Sequence, residues 1–210
     1  MAAGLFVAFE GGEGAGKTTQ IRLLAERLRA AGREAVVTRE PGEGDIGAAI
    51  RAILLSRETV GLTPRAEALL YAADRAQHVG AFVRPALARG AVVLCDRYLD
   101  SSIAYQGEGR ALDPVDIERI SRWAVQDLLP DLTVVLDLDP RDGLARAGGP
   151  QAADRIEAEP LDFHERVRSR FLALAAREPG RYAVLDATRP REVVHAEAWA
   201  AVSARAGVPV

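Results

Sequence analysis

Residues 11 to 20 read GGEGAGKTTQ and hold the only lysine of a chain whose other 26 of 27 Lys and Arg residues are arginine. Gly11, Gly16, Lys17 and Thr18 fit G-x-x-x-x-G-K-[ST], the spacing at which consecutive backbone N–H groups wrap phosphate oxygens at the start of a helix. Glycines allow the tight turn through Gly12, Glu13, Gly14 and Ala15. Lysine reaches the β- and γ-phosphates as a compact point charge, where arginine's planar fork is bulkier and aims its donors differently. The Thr18 hydroxyl, followed by Thr19, is placed to hold Mg2+, so ATP with magnesium is the expected donor.

A phosphate loop alone does not name a reaction. Reading guanine uses an Asn-Lys-x-Asp signature, which a chain with no asparagine and no second lysine cannot supply, and motor ATPases use longer chains. A small-molecule phosphotransferase remains. If its acceptor is a phosphate monoester, the attacking oxygen is largely ionised at neutral pH, because the second pKa is about 6, and cationic clamps matter more than a general base. Arg39 in VVTREPG and Arg97 in VVLCDRY each follow an expected strand, at the carboxyl ends that line the ligand crevice of a parallel sheet. Asp96 ends an apolar strand as a magnesium-holding carboxylate would; Asp137 in VVLDLDP makes the same claim, or with Asp139 caps the next helix. His78, His164 and His195 share no spacing that suggests a relay and are read as structural.

The elements that must position these residues alternate. Strands are expected over 5–9, 35–38, 91–95, 132–138 and 182–186, and helices from the glycine loop to Gly32 and over 64–78, 114–127, 156–178 and 190–206, several opening on proline. Such alternation favours an α/β fold with a parallel five-stranded sheet flanked by helices. Two loops, EPGEGD (40–45) and AGGPQAA (147–153), are too rich in Gly and Pro for a regular helix. With 210 residues, one compact domain over 1–210 is expected. A net charge of −3 argues against nucleic acid as a partner, and no apolar run approaches the roughly 20 residues of a membrane span. The sole cysteine, Cys95, lies in an apolar run, which fits a buried thiol in a reducing, cytoplasmic setting.

FEGGEGAGKTTQ, TREPG, AEALLYAADRAQHV and DRYLDSSIAYQGEGR, followed by LDLDP and ADRIEAEPLDFHERVRSRF, resemble the thymidylate kinases in order and spacing over nearly the whole chain. The resemblance implies a P-loop NTPase fold, often a homodimer, that transfers the γ-phosphoryl group of ATP to dTMP. It implies that Arg39 and Arg97 clamp the dTMP phosphate and that Tyr71 stacks on thymine where the family usually has phenylalanine. Arg75, Ser102 and Gln106 match positions near the base edge or sugar, and Tyr105 an aromatic that crowds the sugar's 2′ position. Glu13 matches an acidic position that reads the sugar hydroxyl or helps hold magnesium; Glu10 can assist the metal or stabilise the loop. Tyr71 and Tyr105 can also be core aromatics, and Ser102 a helix start.

No basic residue stands between Gly12 and Ala15, which resembles the bacterial arrangement in which a lid donates the catalytic arginine. The short lid, about 146–156, is bracketed by Arg146 and Arg155; either can be the finger, with Arg155 favoured, while Arg146 can instead finish a helix. DATRP (186–190) would lie near adenine. Glu165, Arg166, Arg168 and Arg170 are expected on a solvated face. Two alternatives stand beside dTMP phosphorylation: a kinase of the same fold for another nucleotide or a nucleoside, and a non-catalytic nucleotide sensor.

Overall fold

The computed structural model describes residues 4–148 and 154–208. Five parallel strands form one sheet in the order β2-β3-β1-β4-β5: β1 Leu5–Glu10, β2 Ala35–Arg39, β3 Val92–Asp96, β4 Leu132–Asp137 and β5 Tyr182–Asp186. Central β1 is buried along its whole length, as a strand covered by helices on both faces must be. From β1 the chain runs to one side for β2 and β3, then crosses to the other for β4 and β5. The carboxyl ends of β1 and β3 therefore flank the point where the direction reverses, which is where open parallel sheets bind ligands.

The helices are α1 Lys17–Ala30, α2 Gly44–Leu55, α3 Pro64–His78, α4 Arg84–Ala88, α5 Leu99–Ser102, α6 Pro114–Val125, α7 Pro140–Arg146, α8 Leu161–Arg177 and α9 Arg191–Ala206. One core joins one face of the sheet to α1 and α9 through Ile21, Leu24, Leu28, Trp199 and Val202; a second, on the other side, centres on Phe6, Val93, Tyr98, Ile103 and Ile117. No helix of the described residues is long and apolar enough to cross a membrane.

All five expected strands form, and four expected helices form with ends shifted by two residues or fewer. The expected helix over 156–178 needs correction. Its first turn begins at Leu161, because Pro160 sits at the cap and residues 154–158 are a turn closed by Asp154, whose carboxylate accepts from Ile156 N at 2.8 Å and Glu157 N at 2.9 Å. Helix α2 and the segment after α5 are among the elements that had no sequence-based expectation, as are α4 and the π-helical turn Val79–Val83 before it. Helix α2 begins with Gly44 and contains Gly47, both poor helix formers, but Gly47 lets the helix pack closely: a Cβ there would stand 3.0 Å from Asp74 Oδ1 and from Gly42 C. After α5 the chain continues as a π-helical segment, Ile103–Gly109, whose wider turns fit no 3.6-residue pattern.

Candidate active site

The phosphate loop leaves β1 through Gly11, Gly14 and Gly16, with φ of 131°, 63° and 92°, a region open to glycine at little cost. At the start of α1, Lys17 turns back and donates from Nζ to the carbonyls of Gly11 at 3.0 Å and Gly12 at 2.7 Å. Burial, and then the charge of Arg97, lowers its ammonium to about 8. The Thr18 hydroxyl donates to Asp96 Oδ2 at 2.9 Å, across the gap between β1 and β3. Asp137, the rival carboxylate, is taken by Arg168 through Nε at 2.6 Å and Nη2 at 3.0 Å, and Asp139 caps α7 by accepting from Arg141 N. Arg168 thus keeps a half-exposed place on α8 while it also pairs with Asp137.

Arg97 follows β3 in the left-handed region, φ 70°, where a non-glycine residue carries strain. From there its guanidinium donates to Gly11 O at 3.0 Å, Ser101 Oγ at 3.3 Å and Glu13 Oε1 at 3.2 Å, and it lies 5.0 Å over the Tyr105 ring. Glu13 also accepts from Tyr105 Oη at 2.5 Å and pairs with His164 Nδ1 at 3.1 Å. Burial alone would raise the Glu13 carboxyl; the hydrogen bond from His164 and the charges of Arg97 and Lys17 outweigh it and hold it well below the usual carboxylate range. Glu10 serves the loop. It accepts from Tyr98 N at 2.9 Å and from Ser101 N at 3.2 Å and Oγ at 2.6 Å, and burial, reinforced by Asp100, pushes its carboxyl up to about 8.

These groups open onto one cavity of about 730 Å³, lined among others by Glu13, Gly14, Lys17, Thr18, Arg39, Tyr71, Arg75, Asp96, Arg97, Ser102, Tyr105 and Gln106. At its far end Arg75 is almost fully buried, donating to Glu40 Oε2 at 2.6 Å, Ser102 Oγ at 3.1 Å, Tyr98 O at 3.2 Å and Ser121 Oγ at 3.4 Å. His78 pairs with the other Glu40 oxygen at 2.7 Å and with Thr38 Oγ1 at 2.6 Å. Removing one member of such a buried pair would strand the other charge, at about 3–5 kcal/mol.

Several lining or supporting residues escaped sequence reasoning. Arg51, on the unassigned helix α2, is fixed by donating to Pro41 O at 2.8 Å; burial lowers its pKa and the charge of Arg39, with a smaller push from Arg97, lowers it further, so three guanidiniums converge on the cavity. Glu40 and Ser101 lie inside TREPG and DRYLDSS, so closer reading of those stretches would have found them. His164 gave no signal, because its partner Glu13 lies 151 positions away.

Neither lid arginine faces the cavity. Arg155 donates from Nε to Leu54 O at 2.8 Å and lies 2.6 Å from Glu67 Oε2, whereas Arg146, in the last turn of α7, donates to Ala187 O at 3.2 Å in the segment after β5. Residues 149–153 of the expected lid lie outside the described residues.

Residues 9–198 match the family model described as thymidylate kinase. The chain belongs to the thymidylate kinase family. It is 60% identical over 195 residues to the thymidylate kinase of Clavibacter sepedonicus, covering 92% of each chain. It is 53% identical to that of Deinococcus radiodurans, covering 98% of this chain and 99% of the relative. The crystal structure of thymidylate kinase from Ehrlichia chaffeensis superposes with a TM-score of 0.77 at 32% identity, covering 95% of this chain and 99% of that one. The P-loop NTPase fold expected from the sequence is the one observed.

Proposed function

We propose that this thymidylate kinase family member transfers the γ-phosphoryl group of ATP to dTMP, giving dTDP and ADP on the way to dTTP. One observation carries the reading: a single cavity joins Lys17 and Thr18 of the phosphate loop to three converging arginines and, beyond them, to Tyr71, Arg75 and Gln106. The loop amides and Lys17 hold the donor phosphates. Lys17 need only swing from the Gly11 and Gly12 carbonyls, which its own loop supplies. Arg39, Arg51 and Arg97 take the acceptor phosphate, whose ionised oxygen needs orientation rather than a base. Tyr71 stacks on the base, and Tyr105, tied to Glu13, borders the sugar.

Thr18 and Asp96 supply one hydroxyl and one carboxylate oxygen side by side, a hard-oxygen pair that suits Mg2+ completed by water and nucleotide phosphates. When bound, the ion would offset the phosphate charge. Glu13, with its oxygens already engaged, is left as a positioning group. The finger remains with Arg155 or Arg146, and either must leave its present partner to reach ATP. The whole chain works as one domain.

The same reading includes a homodimer. Helices α2, α3 and α6 pack side by side, and their outer faces expose Ile46 and Ile53, Leu69, and Val115 and Trp123, the last at 82%. Such a face is expensive to leave in water. The protein acts in the cytoplasm, on free nucleotides, without nucleic acid or membrane. Calorimetric titration tests the acceptor assignment: dTMP should bind at least about tenfold more tightly than thymidine, which offers the arginines no phosphate. A thymidine preference would make this a nucleoside kinase instead.

A further inference from the structure

Glu67 has no place in the roles given so far, yet it is 1% exposed and collects four contacts. Its Oε1 accepts from Gln106 Nε2 at 2.9 Å and Arg110 Nε at 3.2 Å; its Oε2 accepts from Arg110 Nη2 at 3.3 Å and lies 2.6 Å from Arg155 Nη2. Glu67, Tyr71 and Arg75 follow one another at i, i+4 and i+8 along one face of α3, so the carboxylate stands one turn behind the stacking ring.

A side-chain amide has a donating end and an accepting end, and its orientation follows from its neighbours. A carboxylate surrounded by two guanidiniums only accepts. Gln106 is therefore compelled to turn its NH2 toward Glu67, and its carbonyl oxygen, which takes no donor among the described residues, is left for whatever fills the cavity. We propose that Glu67 is a positioning residue that fixes the Gln106 amide with its acceptor toward the ligand, so that the cavity selects a pyrimidine carrying a ring N–H and rejects one carrying a bare ring nitrogen. This rests on the dTMP reading above. Thymine and uracil carry a hydrogen on N3; cytosine presents a lone pair there, which would face the Gln106 oxygen. Arg75 adds to the choice: four of its five N–H groups are used by Glu40, Ser121, Tyr98 and Ser102, leaving one from Nη1 that suits a carbonyl and not an amino group.

The test is Glu67→Gln, whose amide can either accept from or donate to Gln106. KM for dTMP and competitive Ki values for dUMP and dCMP are measured on wild type and variant. The preference for dTMP over dCMP should fall by roughly tenfold or more, the scale of one misoriented buried hydrogen bond, while the preference for dTMP over dUMP stays within about twofold. Gln106→Met should lower the dCMP discrimination likewise, and adding Glu67→Gln to it should change that ratio no further. Glu67→Asp keeps the charge for the arginines while withdrawing it from Gln106, and gives the same reading if Glu67→Gln fails to fold. An unchanged dCMP ratio in the folded variant, equal loss of dUMP discrimination, or an effect that persists without Gln106 would overturn the proposal. Failure of the dTMP reading itself would show differently, as wild-type enzyme that does not turn over dTMP.

Discussion

Gly143→Ala separates two physical arguments because they predict opposite signs. Gly143 lies inside α7 without a positive φ, so alanine there should stabilise the helix by about 1 kcal/mol. But α7 packs directly on the phosphate loop. A Cβ on Gly143 would stand 2.3 Å from Glu13 O, and one on Gly14 would stand 2.0 Å from Gly143 O, so the two backbones touch with no room for a methyl. Both atoms struck are backbone and cannot rotate away. Overpacking of this kind costs up to about 3 kcal/mol, which leaves a net loss near 2 kcal/mol after the helix gain. For a chain of this size that is a fall in Tm of about 4–8 °C. The displaced atom belongs to Glu13, so the loop that holds phosphate moves as well, and kcat/KM for ATP should fall by roughly tenfold or more, as a misplacement near 1 Å can cost about a hundredfold. Differential scanning calorimetry and steady-state kinetics on the purified variant read both effects. A raised Tm with unchanged kinetics would refute the packing argument.

Arg51→Gln should raise KM for dTMP by roughly 10- to 100-fold, the loss of one charge-assisted hydrogen bond, and leave KM for ATP in place; a rise confined to ATP would move Arg51 out of the acceptor site. Glu10 is held near 8, above its usual 4.5, so between those values the folded chain keeps a proton that the unfolded chain has released, and stability falls as pH rises through that window. Glu10→Gln, the same shape without the ionisation, should flatten the drop in Tm between pH 6 and 8 (on the order of 1 kcal/mol per pH unit in the parent); an equally steep drop would show that another group titrates. Trp123→Arg should halve the mass seen in sedimentation at micromolar concentration, whereas an unchanged mass would place the dimer face elsewhere.

What the sequence made legible follows from range. Strands announced themselves because each is a short apolar run, and the phosphate loop because its residues are contiguous. Arg39, Asp96 and Arg97 could be placed at strand ends without knowing the sheet order. The structure adds what depends on partners far along the chain. Arg97 beside Asp96 already favours Asp96 over Asp137 in the sequence, but that Arg168 occupies Asp137 shows only in the fold; Glu13 gained His164 from α8; and Arg51 surfaced only once a glycine-bearing segment proved helical. Arg155, favoured over Arg146 as the finger, rests here on Leu54 and Glu67, partners about 100 and 88 positions back that one-dimensional spacing cannot foresee. Tyr105 and Gln106 were assigned from resemblance, and the π-helical segment that aims them has no sequence period to detect.

The most direct test of the account is ADP formation from ATP and Mg2+ with dTMP, dUMP, UMP, CMP, AMP, GMP and thymidine offered separately, beside a Lys17→Ala control of unchanged Tm. The account predicts that dTMP gives the largest kcat/KM and that the control is inactive with every acceptor. Turnover led by another acceptor, or retained by the control, would contradict it.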